Sequence, residues 1–111
     1  MKAWLRWAMA ALLFGEAAAA VASPANTPSG NITFLSGGWV NANLRVKTDF
    51  TWTNPEGCQY SDGYMIDPAD SGHELLSSML LSAFISRRKI QLMLDGCTLG
   101  RPRIIGVDIV E

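Results

Sequence analysis

Histidine is almost absent: the 111-residue chain has one, His73. That excludes His-clustered metal sites and leaves little for a Ser-His-Asp arrangement. Cysteine is nearly as scarce. Cys58 and Cys97 are the only two, with no C-x-x-C spacing, which argues against a redox or zinc pair. Charge is thin at 17%, with nine Lys and Arg against ten Asp and Glu. The chain therefore lacks the basic footprint that nucleic acid or an anionic membrane surface requires. No serine sits in a nucleophile-elbow sequence, and no acid–base pair stands out. A non-enzymatic protein is expected, with no catalytic residue, cofactor or metal.

The first 22 residues are not fold material. Lys2 and Arg6 precede a small, apolar run over residues 8–22, and Ala20-Val21-Ala22 fits the small-x-small cleavage rule. This is the layout of a secretory signal peptide, cut after Ala22 with Ala25 as the fallback. The run is too short for a comfortable membrane span, and Glu16 interrupts it. Removal of residues 1–22 leaves seven basic and nine acidic residues and a net charge of −2. The mature protein is expected to be exported, periplasmic or secreted, and free of the membrane. A domain of this size has a marginal core, so two cysteines in an exported chain read as one disulfide. Closing a loop of about 40 residues contributes roughly 4 kcal/mol in the chain-entropy model.

Residues 23–30 (S-P-A-N-T-P-S-G) read as a flexible lead-in, and residues 31–111 as one domain. Residues 31–35 form a short strand candidate before Gly37-Gly38. Residues 39–50 alternate strictly, with Val40, Ala42, Leu44, Val46, Thr48 and Phe50 on one face. A third strand is expected over residues 58–66, interrupted at Ser61-Asp62. Ser71 and Glu74 make a capping box for a helix over residues 72–87. In that helix Leu76, Leu80, Ala83 and Phe84 form one apolar stripe, flanked by Leu75 and Met79, while Leu81 and Ile85 form a second. The second stripe is either partly exposed or an interface. Residues 90–95 and 103–110 complete five strands.

The expected fold is mainly β with one α-helix, in the order βββαββ. That order suits a five-stranded Greek-key barrel of the oligonucleotide/oligosaccharide-binding (OB) type. An open sheet with one helix packed across it is the alternative.

Aromatic residues carry the main functional signal. Sugars present apolar C–H faces beside hydroxyls, so an exposed Trp or Tyr near amides and hydroxyls suits them. Trp52 leads, with Asn54 and Tyr60 beside it, whereas Trp39 and Tyr64 read as core. Asp62, Asp67, Asp70 and Glu74 cluster around the strand-to-helix loop but lack the ligand spacing of a calcium loop.

Residues 80–90 (L-L-S-A-F-I-S-R-R-K-I), then Asp95-Gly96-Cys97, then residues 101–109 (R-P-R-I-I-G-V-D-I) resemble small secreted bacterial proteins related to the subtilase cytotoxin B subunit. The resemblance covers residues 58–110. It implies an OB-type barrel with an internal disulfide and a glycan-binding role. It also implies a ring of five copies with the helix facing its centre. No sugar-contacting residue of the toxins can be matched to residues 39–64, so none is carried over. The alternative is a periplasmic accessory or inhibitor-type protein that meets a protein partner through Leu81 and Ile85.

Overall fold

The computed structural model describes residues 24–38 and 41–111. The expected signal peptide, and Trp39 with Val40, lie outside the described residues. The elements are β1 (Ala25–Asn26), β2 (Ile32–Gly37), β3 (Leu44–Thr48), β4 (Tyr64–Ile66), α1 (His73–Ser86), β5 (Lys89–Thr98) and β6 (Arg101–Val110). The domain is mainly β with one helix and a Cys58–Cys97 disulfide, Cα to Cα 5.8 Å. Among the described residues no helix is long and apolar enough to cross a membrane.

Several expectations change. Among the described residues there are six strands in a mixed sheet, in sequence order ββββαββ rather than βββαββ. The extra strand comes from residues read as a flexible lead-in. Thr27 is the reason: it is buried, its N–H donates to the Leu92 carbonyl at 2.9 Å, and its hydroxyl accepts the Leu92 N–H at 3.0 Å. One polar side chain thus anchors β1 to β5, where Ala25 faces Leu94 and Asn26 faces Met93. Gly30 and Ile90 then exchange both backbone hydrogen bonds before the chain leaves β5 and enters β2.

The sheet order is β1-β5-β6-β4-β3-β2. Only the β4–β6 contact is parallel, at Met65 and Arg103. The long strand expected over residues 39–50 shortens to β3, but its parity holds: Val46 is buried, and Leu44 and Phe50 pack on the core. Only three residues of the third expected strand are extended as β4, and all three are buried.

β5 follows its sequence pattern, with Ile90, Leu92 and Leu94 fully buried. β6 does not. Leu94 faces Ile104, yet Met93 faces Gly106, so Ile105 is an extra residue in the ladder. A bulge of this kind reverses the side-chain parity, and the inward positions become Ile104 and Val107.

The helix also differs in detail. Its N-cap is Gly72, with no side-chain cap hydrogen bond, so the Ser71–Glu74 capping box does not form. The Asp70 carboxylate instead pairs with Arg103 Nη1 at 2.9 Å. Leu80 and Ala83 are buried, with Leu76 and Met79 packed on the core. Phe84, expected on that stripe, is exposed and lies with Leu81 and Ile85, one turn apart on the outer face.

Candidate ligand site

A cavity of about 280 Å³ opens where β3 ends and β4 begins. Phe50 and Trp52 continue the inward parity of β3 into the loop of residues 49–63, and with Tyr64 they supply its aromatic wall. Trp52 stacks on Tyr64 with centroids 4.7 Å apart and planes 31° apart. Phe50 meets the same ring at 6.0 Å. The Tyr64 hydroxyl accepts the Thr53 N–H at 3.0 Å, which fixes the loop over the ring. Burial pushes the Tyr64 pKa up, and the Thr53 N–H partly opposes this.

Lys47 and Thr48 of β3 and Ser61, Asp62 and Gly63 of the loop complete the lining. Gly63 has φ +137°, and a Cβ there would come within 2.9 Å of the Val46 carbonyl oxygen and Arg45 Cγ. Only glycine lets residues 61–63 approach β3 this closely.

Asp62 is the electrostatic centre. Arg101 Nε donates to Oδ1 at 2.7 Å, while Arg101 Nη2 and Arg45 Nη1 donate to Oδ2 at 3.1 and 2.8 Å. The hydrogen bond from Arg101 holds the Asp62 pKa down to about 2, and the charge of Arg45 adds to it. The same contact pushes the Arg101 pKa up. Both guanidinium side chains are mostly covered, at 15% and 17% exposed, whereas the carboxylate is 43% exposed.

Of the residues expected to bind ligand, the cavity takes Trp52; Asn54 and Tyr60 lie outside its lining. The Asn54 amide is committed to its own loop, with Oδ1 accepting the Cys58 N–H at 2.8 Å and Nδ2 donating to the Cys58 carbonyl at 3.0 Å. Tyr60 is exposed, but its ring lies 4.9 Å from the Arg101 guanidinium and its N–H donates to the Gly100 carbonyl. Tyr64 fills the core as expected.

Sequence reasoning missed Lys47, Phe50, Asp62 and Gly63 as one group. The legible signal was an Asp-Gly pair ahead of a buried strand, but nothing local ties it to Arg45 and Arg101. The acidic residues around the strand-to-helix loop do not converge, and Glu74 lies in the first turn of α1. Asp62 holds two arginines, Asp67 accepts from Thr98 and the Ala69 N–H, and Asp70 holds Arg103. Among the described residues no group of three or more His, Cys, Asp or Glu is placed to hold a metal.

No family model, curated protein or solved structure matches the chain. Fold and site define a small, mainly β, disulfide-bonded domain with one helix and an aromatic-walled cavity.

Proposed function

We propose that this chain is an exported, non-enzymatic binding module that takes a glycan in the Trp52 cavity. One observation carries the reading: Trp52, stacked on Tyr64, faces a cavity that also holds Lys47, Thr48, Ser61 and Asp62. An aromatic surface beside hydroxyl, ammonium and carboxylate groups suits a sugar ring, apolar on its faces and polar at its rim. The finer fold assignment is a Greek-key barrel of the OB type. Its support is that residues 25–37 pair with β5 at one end and β3 at the other, which brings the two edges of the sheet together. Relation to toxin B subunits remains part of this proposal and rests on the sequence pattern of residues 58–110.

The test is a glycan array probed with the oxidised mature protein and its Trp52→Ala variant. The expected result is binding that the variant loses by about tenfold or more, given the stacking contribution of an aromatic ring. A wild-type protein that binds no glycan sinks the reading.

A second reading has its own observation. On the outer face of α1, Leu81 is 51% and Ile85 72% exposed, with Phe84 exposed beside them. This face suits a protein partner, either further copies of this chain, as in a five-membered ring, or an accessory target in the periplasm.

A further inference from the structure

We infer that Asp62 is the polar anchor of the Trp52 cavity and that it accepts a hydrogen bond from one sugar hydroxyl. This rests on the glycan-binding reading and adds the anchor and the group on the sugar that it holds.

The argument begins with lone pairs. A carboxylate offers about four acceptor positions. The hydrogen bonds from Arg101 Nε, Arg101 Nη2 and Arg45 Nη1 occupy three. Roughly one remains, on a group that is 43% exposed and lines the cavity. A hydroxyl donor fits that vacancy, and a charge-assisted hydrogen bond is about twice as strong as a neutral one.

The anchor is also held still. Arg101 grips Asp62 through two nitrogens and lies over the Tyr60 ring. Tyr60 in turn rests on Gly100, where a Cβ would come within 2.5 Å of the ring. The turn between β5 and β6 thus buttresses the cavity through Tyr60 and Arg101. Such pre-organisation lowers the ordering cost of binding.

Other charges face the carboxylate. Arg45 and Lys47 lie on β3, Arg101 on β6, Tyr64 on β4 and Tyr60 in the loop. The two arginines keep Asp62 an ionised acceptor. Lys47, whose ammonium lies 4.8 Å from the Phe34 ring centre, supplies a further donor to the cavity.

The experiment uses an array carrying neutral and carboxylate-bearing oligosaccharides, probed with wild type, Trp52→Ala and Asp62→Asn. The tightest hit is then titrated, together with its monodeoxy analogues. The expected pattern is Trp52-dependent binding of sugars, weakened about tenfold or more by Asp62→Asn. One deoxy analogue should lose a similar factor on wild type and little further on Asp62→Asn. Because Arg101 holds Asp62 ionised down to about pH 2, wild-type affinity should stay level from about pH 8 to pH 4. If Asp62→Asn binds as tightly as wild type and no deoxy analogue loses affinity, the anchor is overturned while the glycan reading stands. An empty array overturns both. The deoxy series on wild type decides the matter if the Asn variant does not fold.

Discussion

The cavity under Trp52 and the outer face of α1 make opposite use of their side chains. Around the cavity, half-buried Trp52 stacks on the buried Tyr64 ring, and both Asp62 oxygens hold arginine donors. On the helix, Leu81, Phe84 and Ile85 are 51%, 40% and 72% exposed. The first region gathers charged, hydroxyl and aromatic groups around one small cavity. In the second, Phe84 and Ile85 border an open hollow with Asn31, Ile32, Thr33 and Arg87, and the large apolar side chains gain when a surface of similar character covers them. One region is ordered by ion pairs, whereas the other is an apolar face left half-open.

The contrast breaks most severely if the cavity loses its frame. The disulfide ties the loop of residues 49–63 to β5. The Cys58→Ala/Cys97→Ala variant should lose about 2–5 kcal/mol in denaturant unfolding. The pre-organised cavity depends on this crosslink, so a loss below about 1 kcal/mol would show that loop packing alone suffices.

A smaller effect comes from acid. Asp62 has a folded pKa of about 2 against an ordinary value of 3.8. Its contribution is present above the ordinary value and is lost as pH falls from about 4 toward about 2. Thermal melts should show a drop in that window that Asp62→Asn flattens, and at neutral pH the variant should cost about 1 kcal/mol, the scale of a partly exposed ion pair. Identical acid profiles for the two proteins would mean that the arginine pairing does not set the shift.

The smallest effect on stability is expected on the helix. Leu81→Asp should alter stability by no more than about 0.5 kcal/mol, since the side chain meets little of its own chain. If the face pairs copies, light scattering on wild type gives a multiple of the monomer mass, and the variant returns to one. Equal masses would leave this face to a different protein or to none.

How much was legible depended on whether the cause was local. The parity of β5 was readable because Ile90, Leu92 and Leu94 alternate without interruption. The disulfide was readable because two cysteines allow one pairing. The parity of β6 was not, because Ile105 bulges against β5 and the residues around it are apolar on both faces. The capping box was a sound local pattern, but the N-cap falls one residue later, at Gly72, which leaves Ser71 outside the capping position. Trp52 was legible as an aromatic in a polar loop. Asp62 was not legible as its partner in the cavity, because its two arginines lie 17 and 39 residues away in sequence.

Thr27 joins β1 to β5 through Leu92, a separation of 65 residues. In a chain made from its N-terminus, the first strand is finished long before its partner exists. Closure therefore waits until β5 has been synthesised and, in an exported protein, delivered. Contacts of this span slow folding and place the domain among the millisecond-to-second β folders. Until then the edge that β1 will cover on β5 is a bare template for pairing with other chains. Mutations at Thr27 should consequently be felt first in the yield of folded protein, before any change in what the finished domain binds.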